Sequence, residues 1–215
     1  MVWADKHDIG SLFQSLVTLL LKKNSHCLPL VNCLTTLWSP PLVFPAGPSI
    51  FPDFESLYTN IKATHATEII SSFLYLNTDL FQRNNISLRA FKDFLNIIFT
   101  WNVFKYKDNY YLQKIGLRMG CACGPSIVNI YIYILEKSYL ERNPSLFYKR
   151  FIDDIFMASI TELNIPDLTS LFLYLKLNII MGNVVIFLNL EISFNHLTKS
   201  LFFKLYFTPT NTFSY

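Results

Sequence analysis

The feature that most constrains how this chain folds is a pair of adjacent carboxylates, Asp153 and Asp154, set between two apolar-rich runs, Tyr148–Ile152 and Ile155–Ala158. Ionised groups taken out of water without partners carry a large desolvation cost. The flanking runs can be buried only if the chain reverses between them and leaves the acids at the rim, facing water, a cation or a metal. Two strands joined by a turn achieve this, so the segment is predicted to be a β-hairpin with acids at its tip. Asp suits turns, and the dipeptide taken alone says no more than that.

Composition narrows the field. The chain has 215 residues, 52% hydrophobic and 15% charged, enough apolar surface to offset the entropy of ordering, which excludes intrinsic disorder. One domain with a real core, with or without a poorly packed extension, fits that length. The net charge of +3 is compatible with nucleic acid but is not the dense basic stripe that argues for it alone. The run Leu12–Leu21, interrupted by Gln14 and Ser15, is too short to cross a bilayer. Asp5 and Asp8 offset Lys6 and no small-residue cleavage site follows, so no secretory signal is expected, and the chain is expected to be intracellular. Cys27, Cys33, Cys121 and Cys123 form no C-x-x-C pair, and His7, His26, His65 and His196 complete no metal-ligand spacing. Ordinary reduced thiols are expected.

Residues 1–22, with Leu12, Leu16, Leu19 and Leu20 at helical spacing and Lys22 and Lys23 at the end, predict a packing helix. Prolines 29, 40, 41, 45, 48 and 52 make residues 28–52 a linker or irregular edge. The expected division is therefore 1–48, helix and linker, and 49–215, the folded domain. In the latter an apolar strand ends around Asp53 and Phe54, although Pro52 is awkward in it, since a central strand cannot spare a donor. A helix is expected near 64–76, and a second from an N-cap at Ser87 to Trp101, with Phe91, Phe94, Leu95 and Ile98 on one face. Val103–Tyr106 and Tyr110–Gln113 flank the turn residues Lys107, Asp108 and Asn109, which predicts a hairpin. A loop follows at Gly116, Gly120 and Gly124, then a helix from Pro125 to about Glu141. Beyond the acid-tipped hairpin the pattern predicts a helix after Asp167 and strands near 184–193 and 201–207. This order suits an α+β fold, an antiparallel sheet with helices packed on one face and the other open to a ligand.

A second acid at a strand end, Asp53, changes the weight of Asp153 and Asp154. Hard divalent cations want carboxylate oxygens, and a strand end beside a hairpin tip can supply them from two directions. Four blocks then line up in order. They are Asp53 with Ser56-Leu57-Tyr58-Thr59-Asn60-Ile61; Tyr111-Leu112-Gln113 with Gly116, Met119-Gly120, Pro125 and Asn129; Arg150-Phe151-Ile152-Asp153-Asp154-Ile155-Phe156; and Phe187-Leu188-Asn189-Leu190-Glu191-Ile192 with Pro209-Thr210-Asn211-Thr212-Phe213-Ser214-Tyr215. They resemble motifs A, B and C, and the segments after them, of Penelope-like retroelement reverse transcriptases, over roughly residues 50–215.

The resemblance implies a polymerase palm with partial fingers and no thumb, acting as an RNA-directed DNA polymerase. It implies an RNA template, a DNA primer and dNTP as partners, no membrane, and a nuclear or cytoplasmic setting. Asp53, Asp153 and Asp154 would be the catalytic acids around two Mg2+ or Mn2+ ions, Asp154 less directly, with the Phe54 carbonyl a further ligand. Tyr58, five residues beyond Asp53, would place a ring under the incoming sugar that collides with a 2′-hydroxyl; the alternative is a core tyrosine. Gly116, Met119 and Gly120 would lie against the templating base pair, glycine permitting close approach; the alternative is a plain turn. Gln113 and Asn129 are either nucleotide contacts or structural amides. Arg150 and Lys149 are either phosphate contacts or solvated charges.

Departures from the family pattern are Pro52 before the first acid, Asn189 in place of an acid, Thr208 in place of a lysine, and no match to the fingers over residues 1–45. The missing fingers and thumb, without which a palm has little to clamp a duplex, motivate the alternative of an inactive, degenerate retroelement fragment that keeps only the fold or nucleic-acid binding. An RNA-directed RNA polymerase shares the acid geometry, and Tyr58 argues against it.

Overall fold

The structure is a computed structural model that describes residues 49–76, 87–143, 147–158, 164–188, 190–195 and 200–206. The predicted N-terminal helix, the proline-rich stretch before Ser49 and the block Pro209–Tyr215 lie outside the described residues. The chain divides into two compact units.

The first unit contains Ser56–Tyr139 and Leu171–Lys176. It opens with the one-turn helix α1 (Leu57–Asn60), followed by α2 (Ala63–Tyr75) and α3 (Leu88–Thr100). Helix α3 starts where its sequence predicts: the Ser87 hydroxyl accepts the Ala90 amide at 3.1 Å, satisfying one of the donors a helix leaves open at its N-terminus. Its buried residues are Phe91, Leu95 and Phe99, four apart, and α2 turns Ala66, Ile70 and Leu74 inward at the same spacing; these two helices pack together. The hairpin of β2 (Val103–Tyr106) and β3 (Asn109–Leu112) is tighter than the expected three-residue turn. Asn109 pairs with Tyr106, leaving Lys107 and Asp108 as the loop with Lys107 at φ 53°, the positive φ that two-residue hairpin loops require.

Helix α4 (Gly124–Arg142) leaves this unit after Tyr139 and buries residues on every side, among them Ile127, Val128, Ile130, Tyr131, Ile132 and Tyr133. The stretch from Ile127 to Tyr133, with six of its seven residues buried, belongs in the interior of its unit, while Lys137, Ser138 and Glu141 further along are exposed. Pro125 occupies its first turn, where a missing N–H costs nothing.

The second unit contains residues 49–55, Leu140–Ser170 and the chain from Leu177 onward. One sheet has the order β4-β5-β1-β6 and another the order β7-β8-β9. Their ranges are β1 Ser49–Glu55, β4 Phe147–Phe151, β5 Asp154–Ala158, β6 Lys176–Gly182, β7 Val184–Phe187, β8 Leu190–Asn195 and β9 Ser200–Leu205. Phe51, Phe156, Ala158, Val185, Phe187 and Ile192 form the core between them, with the Phe51 and Phe156 rings 4.9 Å apart and those of Phe156 and Phe187 5.9 Å apart.

Several expectations are corrected here. Strand β6 was not foreseen: its residues read Lys-Leu-Asn-Ile-Ile-Met-Gly and lack clean two-residue alternation. The single strand expected over 184–193 is two, because the chain reverses between the paired residues Phe187 and Leu190, with Leu188 at φ 49°. Helix α5 (Ile165–Ser170) begins before Asp167, not after it, since the Asn164 side chain accepts the Asp167 amide at 3.1 Å. Strand β1 is interior despite Pro52. It pairs with β5 at Ser49↔Ala158, Ile50↔Met157 and Asp53↔Asp154, so the register runs unchanged across Pro52, and burial of Ile50, Phe51 and Phe54 compensates the donor that proline lacks.

Candidate active site

Three of the sequence-predicted residues meet in the second unit. Asp53 in β1 is the direct cross-strand partner of Asp154 in β5, and residues directly opposite in an antiparallel pair share one face. Asp153 occupies the turn between β4 and β5, where its carbonyl accepts the Phe54 amide at 3.3 Å, tying the hairpin tip to the end of β1. The expectation of two acids at the tip is thus refined. Phe151 pairs with Asp154, so the turn is Ile152 and Asp153, while Asp154 is already strand.

Like charges placed this way repel, and the carboxyl groups register it. Burial first, then the charges of Asp153 and Glu55, holds Asp53 above the usual carboxylate range. Burial, then Asp153 and Asp53, does the same for Asp154. Crowded carboxylates of raised pKa are hard oxygen donors whose repulsion a cation relieves, so the donor set fits a divalent ion. Among the described residues no group of three or more His, Cys, Asp and Glu is arranged to hold a metal. The acids therefore offer part of a coordination shell, and further oxygens would come from a ligand, the backbone or water.

The tip is strained. Ile152 sits at φ 54°, a rare conformation for a β-branched residue, with a cost of roughly 1–3 kcal/mol. Ladder pairing on both sides of the turn enforces it, and Arg150 Nη1 donates to the Ile152 carbonyl at 3.1 Å. Arg150, named from sequence as a phosphate contact, thus has a place in holding the turn. Phe54 is 2% exposed, so the residue as a whole is buried, and its amide is taken up by the Asp153 carbonyl.

The remaining predicted residues lie in the first unit. Gly116 has φ 79°, and a Cβ there would lie 2.4 Å from the Thr59 carbonyl oxygen; no other residue fits. The buried Asn102 fixes it, its amide donating to the Gly116 carbonyl at 2.8 Å and to that of Phe99 at 3.0 Å. The Leu117 amide donates to the Tyr58 carbonyl at 2.7 Å, so the glycine loop is seated on the turn that carries Tyr58. The half-buried Tyr58 ring lies 3.5 Å from where a Cβ on Gly124 would stand. Gly120, at φ 83°, has open space around it, and Met119 beside it is exposed. Gln113 Nε2 donates to the Ile115 carbonyl at 2.8 Å, a contact within the loop. Asn129 is half-buried in α4. Asn102 escaped the sequence reasoning, because an asparagine just after a helix reads only as a terminator.

The sequence matches no family model and no curated protein. Solved structures do match it by fold. Apo telomerase from Candida tropicalis superposes with a TM-score of 0.55 at 15% identity, over 93% of this chain and 36% of that one. Telomerase from Candida albicans, in complex with a TWJ fragment of telomeric RNA, gives 0.54 at 11% identity, over 94% and 35%. The Candida tropicalis apoenzyme truncated from its C-terminal domain gives 0.50 at 15%, over 93% and 40%. The fold is telomerase-like. It combines helices with antiparallel sheet, and the chain spans 35–40% of the length of those telomerase chains. At such identities the likeness is one of fold. Among the described residues no helix is long and apolar enough to cross a membrane.

Proposed function

We propose that this chain is a piece of an RNA-directed DNA polymerase, a reverse transcriptase of the Penelope-like kind, with Asp53, Asp153 and Asp154 as its catalytic acids. One observation carries this: Asp53 and Asp154 face each other across a central strand pair, beside the tip that presents Asp153, in a telomerase-like fold. The finer palm architecture, one sheet with helices on one face, belongs to the same proposal. So does the Penelope-like branch, which rests on the ordered blocks and on Met119-Gly120.

Two Mg2+ or Mn2+ ions held by these carboxylates would supply activation of the primer hydroxyl and charge neutralisation at the triphosphate. What the chain contributes is placement. The Phe54 amide and the Arg150 guanidinium pin the backbone of the tip, so the carboxylates are held ready and pay little reorganisation when nucleotide arrives. Tyr58 excludes a 2′-hydroxyl and selects dNTP over ribonucleotide. Gly116, Met119 and Gly120 lie against the templating pair of RNA template and DNA primer, and Gln113 and Asn129, on either side of that loop in sequence, supply polar contacts to the nucleotide.

Primer extension on an RNA template with Mg2+ or Mn2+ tests the proposal by comparing the chain with its Asp153→Ala variant. Incorporation by the first and a loss of at least about 100-fold in the second are expected; equal incorporation rejects this centre. A second reading, a fold that binds nucleic acid without catalysis, is favoured by the incomplete ligand set among the described residues. Salt-sensitive RNA binding with no incorporation by the unmodified chain would select it.

A further inference from the structure

The turn that leads into α4 carries two thiols. Cys121 and Cys123 have their Sγ atoms 3.3 Å apart, and both are free. Cys121 is half-buried and Cys123 is 5% exposed, so the two differ in access. The turn that brings them together is built from backbone hydrogen bonds: the Gly124 amide donates to the Cys121 carbonyl at 2.9 Å and the Ile127 amide to the Cys123 carbonyl at 3.0 Å. Arg118 is the nearby cation, held in place by its bond from Nη1 to the Val103 carbonyl at 3.1 Å.

We propose that Cys121 and Cys123 form an oxidation site for hydroperoxides, in which Cys121 is oxidised first and Cys123 resolves the product to a disulfide. The Cys121 thiolate attacks the peroxide; an S–O bond forms, the O–O bond breaks, and the alkoxide leaves and takes a proton as alcohol. Cys121 is then a sulfenic acid. The Cys123 sulfur attacks the Cys121 sulfur, the S–S bond forms, and the S–O bond breaks with loss of water, which carries off the Cys123 proton. Two thiols lose two electrons in all, and the hydroperoxide gains them as alcohol and water.

The roles follow from the surroundings. Cys121 is the more accessible sulfur and is bonded by the Cys123 thiol and backbone amide, with Arg118 adding its charge; these together bring its pKa down to about 6 against the opposing effect of burial. Cys123 is pushed upward by that same bond and by burial, so it stays a thiol until its neighbour is oxidised. Low-pKa, accessible cysteines beside a resolving partner are the ones that oxidise selectively. Closing the pair needs the sulfurs to approach from 3.3 Å to about 2.05 Å. Gly120, with open space around it, gives the preceding loop room to follow. A ring spanning a single intervening residue is strained, so the disulfide is readily reduced.

The inference does not depend on the polymerase proposal, and its test reads mass instead of synthesis. The full chain is treated with equimolar cumene hydroperoxide and the peptide holding residues 121–123 is weighed. A loss of about 2 Da, reversed by a thiol reductant, is expected. Cys123→Ser should stop at sulfenic acid and give a dimedone adduct at Cys121, while Cys121→Ser should give neither. Cys123→Ala repeats the middle arm with a smaller apolar side chain should the serine disturb packing, and the unmodified chain carries the test by itself. Retention of both thiols while Cys27 or Cys33 oxidises, a disulfide from Cys121 to either of those, or as much dimedone adduct in the unmodified chain as in Cys123→Ser would overturn the assignment.

Discussion

Gly116→Ala is the most informative single change, because Gly120→Ala is its internal control. The two glycines share nearly the same φ, 79° and 83°, but a Cβ at Gly116 would stand 2.4 Å from the Thr59 carbonyl oxygen, and one at Gly120 would meet nothing within 4 Å. The left-handed conformation costs an L-residue roughly 1–2 kcal/mol at both positions, and the loss of unfolded-state freedom, about 0.4–1 kcal/mol in the opposite sense, is also common to both. What differs is contact. At Gly116 the backbone must open by roughly 1 Å, an overpacking cost of about 1–3 kcal/mol, and it must do so against the bonds Asn102–Gly116 and Leu117–Tyr58. Gly116→Ala should therefore be less stable than Gly120→Ala by about 1–3 kcal/mol. In urea unfolding followed by circular dichroism this moves the midpoint by on the order of 1 M. Hydrogen exchange at the Leu117 amide should quicken in the first variant and not the second. Two variants equal in stability within about 0.5 kcal/mol would refute the idea that the loop is seated on Thr59.

Further outcomes concern the acids, the tip and the first helices. Because Asp53 and Asp154 have raised pKa values in the fold, their contribution to stability is fully present below the ordinary carboxylate pKa and is lost as pH rises through the raised values. Without divalent ions, unfolding curves should show Asp154→Asn gaining on the parent chain between about pH 4 and pH 7, and a flat difference would contradict it. Mg2+ should raise the melting temperature of the parent more than that of Asp53→Asn at pH 7, and equal shifts would remove Asp53 from the ion site. Ile152→Gly should change stability by less than about 1 kcal/mol, since relief of the positive φ offsets lost packing, whereas Ile155→Ala, at 1% exposed, should cost about 2–5 kcal/mol; equal losses in chemical denaturation would deny the strain. Ser87→Ala should cost about 1 kcal/mol through its lost cap, checked the same way.

The parts of this protein legible in its sequence are those decided over a few residues. Ser87 followed by apolar residues at helical spacing specifies a helix and its start, because the cap and the buried face are both local. Carboxylates between apolar runs specify a hairpin tip, because burial of unpartnered charge is prohibitive anywhere in the chain. Pairings between distant segments were decided only in three dimensions. Nothing near Asp53 says that its partner across the ladder is Asp154, with Asp153 left to the turn. Nor does anything near Pro52 say that its strand is interior, since that placement follows from apolar residues of β1, β5, β7 and β8 gathered into one core. The division of residues 184–193 and the existence of β6 belong to the same class. A strand is stabilised by neighbours many residues away, so its ends, its register and the acids it brings face to face are set by what the whole unit can bury.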